Sequence, residues 1–254
     1  MSASSWSPPE RLVAVPAALD SPAARVLEAA LAVAPAAALL RSPPPAPIGL
    51  RGVPVVGVLP DMPQLLRDAG ERGLPRAALT RLLPGGPAAW WRLVRTAAGH
   101  LREVASEDFR GLVPVLIELE RAGLRGVDLR AVALAAPLTD LLLAAGHRDA
   151  LAEVVAFLRR AGLGAGLETL NLGHLLARLS AWQIRPDFVI GPLNARGFRM
   201  KPSPAGVLEA VRATHVPIVA ADITAGGSVP LEAAVAYARS QGAASVVIAL
   251  TDLA

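Results

Sequence analysis

Short β-branched runs and amphipathic helical stretches alternate through the second half of the chain, and this alternation constrains the fold most tightly. The runs are Ala131–Ala135, Gly164–Thr169, Asp187–Ile190, Pro217–Asp222 and Ser245–Leu250; between them lie Arg148–Arg160, Gly173–Trp182, Pro204–Ala213 and Pro230–Gln241. Apolar positions repeat every two residues in a strand and every 3.6 in a helix. A sequence that switches period in this order reads βαβαβαβαβ, the pattern of a parallel sheet covered by helices. The punctuation agrees. Ser203 precedes Pro204 as an N-cap with proline at the first helical position, and Ser228 and Pro230 frame the next helix start. Gly162 and Gly242 stand where helices end.

The first half is looser. Arg11–Val15 and Val53–Leu59 read as strands, each followed by a turn signal and a helical pattern. Arg41–Gly49, rich in proline, reads as a stiff connection. Ala77–Leu82 is expected as a third short strand, and Trp90–Ala105 and Phe109–Ala122 as two consecutive helices. Strands near residues 11, 53, 77, 131, 164, 187, 217 and 245 make eight. Eight parallel strands over 254 residues predict a TIM-type (β/α)8 barrel, one domain over residues 1–254. An open, doubly wound parallel sheet is the alternative. Because Leu250–Ala254 directly follow the last strand, the barrel is expected to lack its final helix. The outer face of Val246 and Ile248 then needs a cover: the segment around Trp6, the helix at 109–122, or a second copy of the chain in a homodimer.

Composition narrows the function classes. There is no cysteine, which removes disulfide frameworks, zinc ribbons and thiol chemistry. His100, His147, His174 and His215 share no metal-ligand spacing. The first ten residues have neither the basic region nor the apolar run of a signal peptide, so a cytoplasmic location is expected. Arg, Asp or Pro interrupts each apolar stretch before the roughly 18 residues a spanning helix needs, so no membrane partner is expected. The net charge of +4 comes from scattered arginines, with only four Trp, four Phe and one Tyr available to stack on bases. Nucleic acid is therefore not expected as a partner either.

In a barrel of this type, chemistry sits at the C-terminal ends of the strands and in the loops that follow. Those positions hold Asp20, Asp61, Asp140, Glu168, Asn194, Asp222 and Asp252. Glu168 and Asp222 lie inside strand runs whose odd-numbered neighbours, Ala165 and Leu167 or Val219 and Ala221, suit the helix-facing side. Period 2 then turns both acids into the barrel. A carboxylate there needs a cation, a metal or a hydrogen-bond network, and pairing with an arginine is the plain structural reading. Asp20 and Asp61 suit helix caps better than ligands. Lys201 is the one lysine beside so many arginines, in the long loop Asn194–Pro204, close to a helix start that favours anions. Gly226, Gly227 and Ser228 form a turn before a helix, where barrel enzymes often hold phosphate. Gly162-Leu-Gly-Ala-Gly166 resembles a dinucleotide fingerprint but precedes or forms a strand instead of leading from strand into helix, which argues against that reading. Tyr237, mid-helix, reads as packing.

Pro217–Ile248, with Asp222-Ile-Thr-Ala-Gly-Gly-Ser-Val-Pro230 at its centre, resembles the last two βα units of aldo-keto reductase barrels. Gly166-Leu-Glu-Thr-Leu-Asn171-Leu-Gly173 and Gly191–Lys201 resemble uncharacterised TIM-barrel proteins. The resemblance implies the barrel. The reductases' Asp, Tyr, Lys and His tetrad is not matched, so it lends no hydride transfer or NADPH site.

These residues predict an enzyme acting on a small anionic metabolite by proton transfer or C–C bond chemistry, of lyase or isomerase type. Lys201, Glu168 and Asp222 are the expected catalytic residues. Asn194, Asn171, Asp140, Gly226, Gly227 and Ser228 are expected to bind substrate, with a divalent cation such as Mg²⁺ as a candidate cofactor. The alternative is a non-catalytic barrel that binds a small-molecule ligand or a partner subunit.

Overall fold

The computed structural model describes residues 6–16, 21–32, 36–41, 50, 52–72, 80, 82–106, 108–124 and 126–253. The strands are β1 (Arg11–Val15), β2 (Ala36–Leu40), β3 (Pro54–Leu59), β4 (Asp128–Leu134), β5 (Gly164–Glu168), β6 (Phe188–Pro192), β7 (Ile218–Ala221) and β8 (Ser245–Ala249). They pair in parallel in chain order, and β8 returns onto β1 through Arg11↔Val246 to Ala14↔Ala249. The sheet is a closed barrel of TIM type, which rules out the open alternative.

The helices are α1 (Ser21–Ala32), α2 (Met62–Arg72), α3 (Gly86–Gly99), α4 (Leu101–Ala105), α5 (Phe109–Arg121), α6 (Ala136–Ala144), α7 (Arg148–Arg160), α8 (Leu172–Trp182), α9 (Pro204–Ala213) and α10 (Leu231–Ser240). Strand alternation sorts the apolar residues into two shells. Leu12, Leu39, Val56, Val58, Ala131, Ala133, Phe188, Ile190 and Val219 fill the barrel. Val13, Leu40, Val132, Leu167, Val189, Val246 and Ile248 face outward and pack with helix residues such as Leu27, Ile117, Leu142, Leu151 and Leu175. With both faces buried, such strands need no polar alternation.

One expected strand is replaced. Within 77–82 the described residues Thr80 and Leu82 are helical, and the remaining residues of that stretch lie outside the described ones. The third strand of the first half is instead Ala36-Ala-Ala-Leu-Leu40, paired to β1 and β3. It has no β-branched residue and a strong intrinsic helix preference, and burial on both faces overrides that preference.

The cover of β8 also differs from expectation. Val246 and Ile248 are buried in the outer shell with Leu27 of α1 and Ala234 and Ala238 of α10. Trp6 lies inside, at the N-terminal end of the barrel, its ring centroid 4.8 Å from that of Phe188. Helix α5 packs on α3, α7 and β3 instead. It starts at Asp108, whose side chain accepts from the Arg110 N–H at 2.8 Å. Its buried Glu118 is held by Arg92 of α3 at 3.2 Å and by Arg121 at 2.5 Å. This charge contact pins α3 to the body of the protein.

Candidate functional site

Glu168, the last residue of β5, follows Gly166 on the inward face and enters the mouth of the barrel. Its Oε1 meets Arg41 Nη2 at 2.5 Å, and its Oε2 accepts the Ala136 N–H at 3.0 Å, at the start of α6. Arg41 stands immediately after β2, so one ion pair crosses the mouth between two strands that are not neighbours. The partners differ in exposure: the Glu168 side chain is 8% accessible and that of Arg41 54%. Burial works against the Arg41 charge. The charge and hydrogen bond of Glu168, then the charges of Asp222 and Asp61, outweigh it and hold the guanidinium pKa above its ordinary value. Arg41 is thus the hub of the site.

The sequence reading did not single out Arg41. An arginine directly after a buried apolar run is the available signal, but Ala36–Leu40 does not look like a strand, and Arg41 merges with the prolines that follow.

Asp222 reaches the mouth by a different route from the one period 2 predicts. Val219 and Ala221 are the inward residues of β7, and Ala220 faces out. Asp222 follows the strand end with φ of 52°, so strand alternation does not govern its direction. Its Oδ2 lies 3.5 Å from Arg199 Nη1, and the Arg199 guanidinium stands over the Phe198 ring at 5.1 Å. Asp61 accepts the Gln64 N–H at 3.1 Å and so caps α2, in keeping with the plain reading. Asp20 lies outside the described residues.

Other predicted residues serve the loops around the mouth. Asp140 accepts the Thr169 hydroxyl and the Leu170 N–H, the latter at 3.0 Å, and Thr169 Oγ1 in turn accepts the Asn171 N–H at 2.8 Å. This chain buckles the β5–α8 turn onto α6. Asn194 is buried and its amide is used within its own loop. Oδ1 accepts the N–H groups of Arg196 and Phe198 at 3.2 and 2.9 Å, and Nδ2 donates to the Phe198 carbonyl at 2.9 Å. Lys201 is exposed, and its carbonyl accepts the Gly173 N–H at 3.2 Å, which sets it beside the first turn of α8. Gly226 and Gly227 have φ of 73° and 84°, a backbone that glycine adopts readily, and Ser228 Oγ donates to the Ala225 carbonyl at 3.1 Å. The same loop is laced to the turn after β8, because Thr224 Oγ1 donates to Asp252 Oδ1 at 3.1 Å.

Among the described residues, no group of three or more His, Asp or Glu side chains is placed to hold a metal ion. Both Glu168 oxygens are already engaged. The described carboxylates at the mouth therefore do not form a cation cage. A hollow of about 880 Å³ lies on the outer wall between α8 and α9, bounded in part by His174, Glu209 and His215. Among the described residues, no helix is long and apolar enough to cross a membrane.

Fold and site together define the class: a closed, eight-stranded parallel barrel of TIM type with a charged, arginine-centred mouth. Compared with known proteins, the chain matches no family model, no curated protein and no solved structure, so the likeness to aldo-keto reductase barrels rests on the residues quoted above alone.

Proposed function

We propose that the mouth of the barrel is the active site of an enzyme acting on a small anionic metabolite, by proton transfer or C–C bond chemistry of the lyase or isomerase kind. One observation carries this reading: Arg41 is held charged by a buried carboxylate while half of its side chain stays open to solvent. A guanidinium has five N–H donors in a rigid fork, so an Arg41 fixed by Glu168 keeps donors for a substrate carboxylate or phosphate. Glu168 acts as a positioning residue, since its oxygens are occupied by Arg41 and the Ala136 N–H. Asp222, partly exposed and only 3.5 Å from Arg199, is the acid or base that moves the proton. Lys201 and the Gly226-Gly227-Ser228 turn add a cation and backbone N–H groups for the anion's far end.

A second reading, a non-catalytic ligand-binding barrel, is favoured by the engagement of Asn194 and Glu168 in protein contacts. The two readings separate in one experiment. Calorimetric titration of the full chain with a panel of short carboxylates and sugar phosphates should find a binder that R41M loses. NMR in deuterium oxide then follows exchange at the carbon beside the ligand's carboxylate or carbonyl. Enzyme chemistry predicts exchange that D222N abolishes while binding persists. Binding without exchange selects the second reading, and no anion binding at all overturns both.

A further inference from the structure

Helix α3 carries apolar residues on two faces. Inward, Ala89 and Leu93 pack with Leu82, Leu119 and Ala122, and Arg92 is tied to Glu118. Outward, Pro87, Trp91, Val94, Ala98 and, on α4, Leu101 are all exposed. On α3 a spacing of four, three and four residues sets Pro87, Trp91, Val94 and Ala98 in one stripe, and Leu101 follows on α4 after the chain leaves helical geometry at His100. Trp91 and Leu101 are each 67% exposed, and Val94 54%. Trp90 broadens the stripe, and Gly86, Pro87, Trp90, Trp91 and Val94 line a hollow of about 540 Å³. Globular surfaces scatter single apolar residues; a contiguous row marks a contact surface.

Charge identifies the partner. Arg92 is paired with Glu118, and Glu103, Asp149 and Glu153 line a separate hollow with Gly99 and His100, so the charge beside the stripe comes from Arg95 and Arg102. Arg95 and Arg102 are exposed, each next to a stripe residue, and neither forms an ion pair among the described residues. A second copy fits poorly. A two-fold contact would face this patch with itself and bring unpaired arginines together. Exposed indoles beside arginines suit the boundary of a lipid bilayer, where the ring bodies leave water while the indole N–H and the guanidinium stay at headgroup level.

We propose that the outer face of α3 and α4 docks the protein on an anionic lipid surface, with Trp91, Val94 and Leu101 entering the acyl boundary and Arg95 and Arg102 meeting headgroup phosphates. The expectation of no membrane partner rests on the absence of a spanning run, and a helix lying in the interface needs none. The Arg92–Glu118–Arg121 contact has a part in this. It fixes α3 by buried charge, leaving the apolar stripe free for the bilayer.

The test is co-sedimentation of the full chain with phosphatidylcholine vesicles, with and without phosphatidylglycerol, read together with tryptophan quenching by brominated lipid. Binding should require phosphatidylglycerol, weaken with salt, and bring quenching. R95E/R102E should lower partitioning about tenfold or more at unchanged circular dichroism, and W91S/L101S should remove the quenching. If W91S/L101S does not fold, the arginine variant alone decides. The proposal fails if phosphatidylglycerol vesicles do not bind, or if R95E/R102E binds them as well as the parent. It also fails if the chain dimerises through this face, seen as a concentration-dependent mass that W91S abolishes, or if the face binds polyglutamate but not vesicles.

Discussion

Replacing Arg41 by Met and Glu168 by Gln perturbs the same ion pair from its two ends, and the structure predicts unequal costs. In R41M the Glu168 carboxylate, whose side chain is 8% exposed beside Arg41, keeps the Ala136 N–H and loses the guanidinium. Stranding a buried charge costs roughly 3–5 kcal/mol, and the open mouth places this case at the lower end, about 3 kcal/mol. In E168Q the amide oxygen still accepts from Ala136, and Arg41, already 54% exposed, returns to water, for about 1 kcal/mol. The double variant leaves no stranded charge, so it should cost about 1 kcal/mol and not the sum of about 4 kcal/mol. Urea unfolding followed by circular dichroism measures all three, with an unchanged slope as the control that the unfolded state is comparable. The reasoning is refuted if E168Q costs as much as R41M, or if the double variant costs the sum.

Gly166→Ala sets a methyl 2.2 Å from Phe188 Cζ, against a rigid ring on the paired strand. It should cost about 3 kcal/mol, seen as a fall in Tm of roughly 6–10 °C, and G166A/F188L should recover part of it. Asp108→Ala removes the α5 cap and should cost about 1 kcal/mol at neutral pH. Hydrogen bonds from Arg110 hold the Asp108 carboxyl below its ordinary 3.8, so its contribution is present above that pH and is lost as acid takes the pH below it. Urea midpoints of D108A and the parent should therefore differ at pH 7 and converge in acid; a constant gap would contradict the assignment.

The second half of the barrel was legible because β-branched runs and capped helices point the same way there. Helices 148–160 and 204–213 match their expected bounds, and the strands near 131, 164, 187, 217 and 245 fall within a few residues of theirs. The first half hid β2, because alanine and leucine favour helix until neighbouring strands bury them on both sides. The total of eight survived only because the expected strand at 77–82 stood in for Ala36–Leu40. Glu168 was found by parity, since β5 runs straight to its last residue. Parity failed for Asp222: Val219 and Ala221, expected to face the helices, face the interior, and Asp222 reaches the mouth because the strand stops at Ala221 and the backbone turns left-handed. Arg41 went unseen because its placement depends on the hidden strand. Asn194 stands in the expected loop, but whether an amide serves a ligand or its own turn is decided by the path of the loop, which residue types do not reveal.

The closure of β8 onto β1 also sets an order of assembly. β1 is made first and has one edge completed by β2, but its other edge is matched by residues more than 230 positions later, from Arg11 to Val246. Until those residues are synthesised, Leu12, Val13 and their backbone N–H and C=O groups face solvent on that side. Contacts this distant in sequence form slowly and leave a strand open to neighbouring chains meanwhile. Among the barrel strands, β1 is thus the one whose edge waits longest for its partner during synthesis, and β8 is the strand that covers it.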